Sequence, residues 1–189
     1  MFPDGRLPAT PAPSVGAAGA LERLAQCHTR GVREIGNLRR LGGRAVDRDA
    51  AGAAAGVVRY FDHSARDHYA DEEEDLFPAL LESMAGSDAT CLREMIEGLT
   101  AEHRTLEAAW YRLRPALLRI AAGETQGSGA SVGVDVDDVE GLAGLYERHM
   151  AREDAELMPM AARLIADDEL DRIDRAMRAR RGIGADAGR

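Results

Sequence analysis

Residues 68–78 read HYADEEEDLFP, and residues 149–159 read HMAREDAELMP. In each stretch a histidine is followed after four residues by a glutamate, after eight by a leucine and after ten by a proline. A four-residue step turns only about 40° around a helix axis, so the histidine and the glutamate of each stretch share one helix face. The repeat therefore predicts two helices with matching polar residues: His68 and Glu72 on the first, His149 and Glu153 on the second.

The rest of the chain has the composition of an all-α protein. Aromatic residues make up 4% of the 189 residues, and no alternating segment rich in valine or isoleucine occurs. Glycine-containing breaks, with serine or aspartate that can cap a following helix, separate the apolar stretches. We predict an up-down-up-down four-helix bundle with a short C-terminal fifth helix, with helices at roughly 17–41, 48–83, 88–121, 137–166 and 168–180.

Two further histidines interrupt apolar helix stripes. His103 occupies one position of a stripe on the third helix whose spacings alternate between four and three residues, the pattern of a left-handed bundle. His28 does the same on the first helix. Aligning LERLAQCH with IEGLTAEH makes the first two helices the counterpart of the third and fourth, which indicates an internal duplication. Both histidines are therefore expected to point inward.

Four histidines and two carboxylates inside one core need a compensating cation. A buried, unpaired carboxylate costs several kcal/mol, against a total domain stability of about 5–15 kcal/mol. Protonated imidazoles are one solution, but neutral imidazoles and carboxylates around two divalent ions satisfy charge and geometry together. We therefore predict a dinuclear metal site. Without thiolate ligands, and with imidazoles present, iron is favoured over structural zinc, calcium or magnesium, while manganese and zinc stay open.

The combined pattern resembles that of the haemerythrin-like, or HHE cation-binding, family. The resemblance covers roughly residues 17–166: a histidine on helix one, HxxxE with LFP on helix two, EH on helix three, and HxxxE with LMP on helix four. It implies two iron ions with a bridging oxo or hydroxo group. It also implies a set of ligands in which the histidines are terminal and the glutamates bridge: His28, His68, His103 and His149, with Glu72 and Glu153.

By the same resemblance, the expected function is that of a non-haem di-iron protein. It would bind or react with oxygen, nitric oxide or peroxide, as a sensor, a scavenger or an iron handler. Turnover stays open, with a non-enzymatic role favoured. Two alternatives are a carboxylate-type di-iron oxidase, disfavoured because ferritin-like enzymes use ExxH and more carboxylates, and a metal-free helical interaction module, against which the buried charge counts.

Helix three departs from the pattern of the oxygen-carrying haemerythrins. Those proteins place two histidines four residues apart on this helix, whereas His103 is preceded at that spacing by Leu99 and followed by Glu107. The iron ion that this helix serves therefore lacks one expected imidazole. Glu107, Glu73 or water fills the position, and the sequence does not decide between them.

Residues beside the motifs are interpreted as ordinary surface or core positions. His63 is rotated about 140° from His68 around the helix axis, which predicts a surface position. Cys27 is interpreted as a half-buried thiol. The acidic flank of the first motif is expected to be solvated: Asp71, Glu73, Glu74 and Asp75.

Two prolines and two tyrosines lie near the motifs. Pro78 and Pro159 are expected to bend or loosen a helix end, because proline removes one backbone hydrogen bond. Tyr60 and Tyr146 are candidates for hydrogen bonds that support the ligands. A structural role is predicted for the prolines and a supporting one for the tyrosines.

Composition limits the setting and the partners. The net charge is −9, with arginine as the basic residue at all 24 lysine-or-arginine positions, so nucleic acid and anionic membranes are not expected partners. The two cysteines form no metal or disulfide spacing, which favours a reduced, cytoplasmic protein. The length of the chain fits a single domain, which we predict over 17–180. The Pro/Ala-rich stretch 1–16 and the tail 181–189 are predicted to be mobile. A protein partner cannot be named from the sequence.

We predict that oxidation by air is not reversed when oxygen is removed. Replacing an imidazole by a carboxylate or water makes the iron more oxygen-rich and stabilises its ferric state. Anaerobic di-ferrous protein mixed with oxygen and then evacuated should keep its oxidised visible spectrum. Recovery of the colourless ferrous form over several cycles would instead show reversible oxygen carriage.

Overall fold

A computed structural model describes residues 17–42, 48–84, 88–124 and 133–183. Within these ranges the chain is almost entirely helical and forms no strand, which confirms the all-α prediction. The stretch 1–16 and residues 184–189, both predicted to be mobile, lie outside the described residues.

Five helices account for the described residues. The structure reproduces the predicted bounds of the first three helices, while α4 begins one residue earlier and ends two residues earlier than predicted, and α5 begins one residue earlier. The helices are α1 (Ala17–Leu41), α2 (residues 48–83), α3 (Asp88–Ala121), α4 (residues 136–164) and α5 (Asp167–Arg180).

The first four helices pack around a common interior, and α5 packs against α1. Helix α1 contacts α2 and α4, and α3 contacts the same two helices. Two apolar clusters fill the interior on either side of a buried polar layer. We call them the tryptophan cluster, which includes Ile35, Val57, Trp110 and Leu142, and the leucine cluster, which includes Leu24, Leu80, Leu99 and Leu157.

The order of these clusters along the chain alternates from helix to helix. Along α1 and α3 the sequence passes from the leucine cluster through a histidine to the tryptophan cluster, and along α2 and α4 it passes the other way. Successive helices would run in opposite directions to give this order. The up-down-up-down arrangement stays a prediction, and this order supports it.

Helices α2 and α4 are interrupted by π-helical segments that the sequence analysis did not predict. They span Tyr60–Ser64 and Asp71–Leu76 in α2 and Glu153–Leu157 in α4. The two later segments contain the motif glutamates, and each is followed within two residues by proline, at Pro78 and Pro159. A proline cannot donate the next helical hydrogen bond, and a widened turn before it accommodates that loss.

The acidic flank of the first motif is not solvated, so the prediction for Asp71 and Asp75 is wrong. Both side chains are buried, because α5 covers this flank, and Arg180 at its end and Arg181 just after it supply two guanidinium groups. Arg181 Nη1 donates to Asp71 Oδ1 at 3.1 Å, and Arg180 Nη2 donates to Asp75 Oδ2 at 3.0 Å. Arg180 also pairs with Asp71. Glu74 keeps the predicted exposed position, although Arg180 reaches it too.

No helix of the described residues is long and apolar enough to cross a membrane. Helix α3, for example, has a polar outer face with Arg104, Glu107 and Arg112 exposed or half-buried. The acidic and basic residues of the described helices are instead distributed between surface ion pairs and the buried polar layer.

Replacing Arg180 and Arg181 together by alanine should lower the free energy of unfolding by about 3 kcal/mol. The reason is that Asp71 then keeps a buried charge without a counter-ion. Urea unfolding followed by circular dichroism measures the loss, and adding Asp71→Asn should recover most of it. Arg175→Ala, at an exposed position of α5, is the matched control and should change the stability by less than about 0.5 kcal/mol.

Candidate metal centre

The six residues predicted to meet in the core do so, in the buried polar layer between the two apolar clusters. Helices α1 and α3 supply one histidine each, and α2 and α4 supply a histidine and a glutamate each. All six are buried, and the most exposed of them retains 5% of its accessible surface. They are His28, His68, Glu72, His103, His149 and Glu153.

The four imidazoles form two pairs. His28 and His68 have ring centroids 4.9 Å apart, and His103 and His149 have centroids 4.8 Å apart. In both pairs the rings meet edge to face. The pairing follows the internal duplication, since each pair combines one histidine from an apolar stripe with one histidine from a repeated motif.

Glu153 lies between the two histidine pairs and divides its oxygens between them. Its Oε2 is 2.9 Å from His28 Nε2 and 3.5 Å from His68 Nε2. Its Oε1 is 2.7 Å from His149 Nε2 and 3.7 Å from His103 Nε2. One carboxylate therefore contacts all four rings.

Glu72 divides its oxygens in the same way. Its Oε1 is 3.6 Å from His68 Nε2, and its Oε2 is 3.2 Å from His103 Nε2. It is less symmetric than Glu153, because only the His103 side forms a compact group with it. The two groups of potential ligand atoms, each with all atoms within 4.8 Å of one another, share Glu153: Glu72, His103, His149 and Glu153 in one, and His28, His68 and Glu153 in the other.

Most of these close approaches are not hydrogen bonds. Both oxygens of Glu72 and of Glu153, and the Nε2 atoms of His103 and His149, are buried without a hydrogen-bond partner in the described part of the chain. The lone pairs of these atoms point toward common positions in the core and not toward hydrogen-bond donors. Buried polar atoms are normally satisfied, so this convergence is the arrangement expected of ligands for metal ions, and the nitrogen and oxygen donor set fits iron, manganese or zinc.

In three of the histidines, a carboxylate contacts the ring nitrogen that faces away from the cluster. The second ring nitrogen, Nδ1, lies 2.8 Å from Asp154 in His28, 2.7 Å from Glu73 in His103 and 2.9 Å from Glu102 in His149. A carboxylate at Nδ1 keeps the proton on that nitrogen and leaves Nε2 free to bind a metal ion. We call these three carboxylates the anchors: Glu73, Glu102 and Asp154.

Arginines hold two of the anchors in place. Arg104 pairs with Glu73, and Arg152 Nη1 donates to Glu102 Oε1 at 2.7 Å. The contacts with His149 and Arg152 keep the pKa of Glu102 below its usual range, although partial burial opposes them. Glu102 therefore continues to accept a hydrogen bond from His149.

Without a metal ion, protons must supply the positive charge that balances the carboxylates of the polar layer. Burial raises the pKa of Glu153, but its contacts with the histidines outweigh burial and hold the pKa well below its usual range. Burial and the charge of Glu153 raise the pKa of Glu72. Burial lowers the pKa of His103, yet its contacts with Glu153 and Glu72 raise it to about 9. Positive charge is thus required here, and metal ions would replace protons in supplying it.

Neither protein candidate for the missing imidazole lies among the converging atoms. Glu73 accepts from His103 Nδ1, on the opposite side of the ring from the cluster. Glu107 contacts Arg104 at 3.7 Å and lines a shallow cleft with Tyr69 and Tyr111. Beside His103 the structure places the ring of Tyr69, stacked with a centroid distance of 4.2 Å.

Several supporting residues differ from their predicted roles. Cys27 is fully buried, not half-buried. Tyr60 and Tyr146 hydrogen-bond to each other, and Tyr60 donates to the carbonyl oxygen of Cys27 at 3.2 Å. Neither hydroxyl reaches a histidine or glutamate of the cluster, so that prediction is wrong. His63 is exposed, as predicted.

The sequence does not predict the anchors, although each of them has a recognisable position in it. Each anchor is the sequence neighbour of a cluster residue: Glu73 follows Glu72, Asp154 follows a motif glutamate, and Glu102 precedes His103. Each anchors a histidine of a different helix. The sequence predicts Glu73 as a solvated residue or a metal ligand and assigns no role to Glu102 or Asp154, because no local pattern records a pairing between helices.

A family model described as the hemerythrin HHE cation binding domain matches residues 19–161. The matched range begins in α1 and ends in α4, and it includes all six residues of the cluster. No curated protein matches the chain significantly.

Removing an anchor should weaken metal binding without emptying the core. Glu102→Ala or Glu73→Ala leaves an imidazole without its acceptor, and we expect a 10- to 100-fold loss of metal affinity. Competition with a chromophoric chelator under anaerobic conditions measures the affinity. Glu97→Ala, at an exposed position of α3, is the control, and an equal loss in that variant would contradict the role of the anchors.

Proposed function

The chain belongs to the hemerythrin HHE cation-binding family, and we propose that its polar layer holds two iron ions that bind or react with oxygen, nitric oxide or peroxide. The observation that supports this proposal is the division of Glu153 between two histidine pairs. A carboxylate placed between two pairs of imidazoles suits two ions better than one. The family match by itself supports cation binding, whereas the identity of the ions and the ligand belongs to the proposal.

Each residue of the cluster has a distinct role in this proposal. His28 and His68 bind one ion, and His103 and His149 bind the other. Glu72 and Glu153 would serve both ions and neutralise their charge. The iron pair, when bound, would supply electrons to the small ligand.

The surroundings of the cluster favour a small ligand. The tryptophan cluster lies on one side and the leucine cluster on the other, and both consist of tightly buried side chains. The six residues therefore lie between two apolar layers, a setting that supports a small ligand such as oxygen, nitric oxide or peroxide. The proposed roles are sensing, scavenging or iron handling.

The observations weigh against both alternatives. A carboxylate-type di-iron oxidase would need more carboxylates than imidazoles, and Glu73 faces away from the cluster. A metal-free interaction module would leave the carboxylate oxygens buried and unsatisfied, at a cost of several kcal/mol. The two free thiols, Cys27 and Cys91, are compatible with the cytoplasmic setting that we propose.

Metal stoichiometry provides the direct test. Protein purified without oxygen should contain two iron ions per chain, and its optical spectrum should change on addition of oxygen and of nitric oxide. Glu153→Ala and Glu72→Ala remove a carboxylate that serves both ions, so the stoichiometry should fall sharply in both variants. His63→Ala is the matched histidine control and should retain two ions. A wild-type protein that takes up no iron would refute the proposal.

Removing the metal should lower the melting temperature. Ions present at a thousandfold excess over their dissociation constant stabilise the folded chain by about 4 kcal/mol, which corresponds to roughly 10 °C for a domain of this size. Differential scanning calorimetry before and after chelation measures the difference. An unchanged melting curve after verified metal removal would contradict the expected stabilisation.

A further inference from the structure

The anchors leave one histidine of the cluster unsupported. They follow a pattern between neighbouring helices: Glu73 on α2 anchors His103 on α3, Glu102 on α3 anchors His149 on α4, and Asp154 on α4 anchors His28 on α1. No carboxylate anchors His68 on α2. Its Nδ1 atom is buried and has no hydrogen-bond partner in the described part of the chain.

The internal duplication identifies the residue that corresponds to an anchor for His68. LERLAQCH on α1 aligns with IEGLTAEH on α3, which places Cys27 opposite Glu102. Glu102 immediately precedes a cluster histidine and anchors the histidine of the following helix. Cys27 also immediately precedes a cluster histidine, and the histidine of its following helix is His68. The alignment and the helix order therefore select the same residue.

We propose that Cys27 is a positioning residue for His68 in the metal-loaded protein, where the Nδ1–H group of His68 would donate to the cysteine sulfur as the other histidines donate to carboxylates. This inference rests on the proposed metal site, since an imidazole that binds a metal ion through Nε2 carries its proton on Nδ1 and needs an acceptor there. The sulfur is the candidate acceptor that the duplication provides.

The contacts of Cys27 leave its sulfur available to His68. The thiol is directed at the carbonyl oxygen of Ser64, with a distance of 3.7 Å from sulfur to oxygen. Tyr60 fixes the residue from another side, with its hydroxyl 3.5 Å from the sulfur and a hydrogen bond to the Cys27 carbonyl. Ser64 lies one helical turn before His68 on α2, so the sulfur that contacts its carbonyl oxygen lies beside the helix face that carries His68.

A sulfur in place of a carboxylate makes the two ions unequal. A cysteine sulfur is a weaker hydrogen-bond acceptor than a carboxylate oxygen, so the ion held by His28 and His68 would have one carboxylate anchor behind its imidazoles. The ion held by His103 and His149 has two. The first ion should therefore be released more readily than the second.

Chelator-driven release of iron from the anaerobically loaded full-length protein tests the inference. Wild-type protein should release its two ions in two phases. Cys27→Ala should accelerate the fast phase about tenfold or more and leave the slow phase unchanged. Glu102→Ala should accelerate the slow phase instead. Circular dichroism confirms the fold of each variant.

Rescue separates positioning from simple packing. Cys27→Asp restores a carboxylate and should slow the fast phase to the wild-type rate or below, and Mössbauer spectra should show the two ions becoming more alike. Cys27→Ser, which keeps a hydroxyl acceptor at nearly the same volume, serves if the aspartate variant does not fold, and it should retain most of the wild-type rate. If Cys27 only fills space, alanine would accelerate both phases equally and neither polar replacement would restore the rate.

The outcomes also separate this inference from the proposed function. Wild-type protein that takes up no iron would refute the metal site itself. Wild-type protein that binds two ions, combined with a Cys27→Ala variant that releases both at the wild-type rates, would refute the role of Cys27 alone.

Discussion

Burying two carboxylates among four imidazoles is the constraint on which the rest of the structure depends. An interior without water offers these groups no other partners, so every helix must bring a complementary charge or a ring nitrogen to the same layer. The apolar core is consequently divided into the tryptophan cluster and the leucine cluster. A purely apolar bundle could adjust its packing by small slides of the helices, but this one is fixed where the polar atoms meet.

The anchors extend that constraint from the polar layer to the surface. Each one ties a histidine to a neighbouring helix, and Arg104 and Arg152 then tie two anchors to groups that solvent reaches. The position of each anchored imidazole therefore depends on contacts between its own helix and the neighbouring one. Ligand geometry and helix packing are in this way parts of one network.

The sequence predicts what depends on local periodicity. The four-residue step from histidine to glutamate and the glycine-containing breaks were enough for the helix bounds and for the six residues that meet in the core. Asp71 was assigned wrongly because its partner Arg180 lies 109 residues away, and no local pattern records such a contact. The alignment of Cys27 with Glu102 was visible in the duplication, but its meaning required the contact between Glu102 and His149.

The π-helical segments make the length of each motif part of the design of the chain. Relative to an α-helix, a widened turn holds one additional residue, so each segment acts as an insertion that the helix has absorbed. Deleting one residue of the segment Asp71–Leu76 would return this stretch to a regular α-helix and leave the turns beyond it nearly in place. Leu76 and Phe77 would stay in the leucine cluster, and the change would fall on the turn that carries Glu72. Both halves of the duplication carry such an insertion at the motif glutamate, so the spacing from histidine to proline is constrained by geometry as strictly as the identity of the ligands is by chemistry.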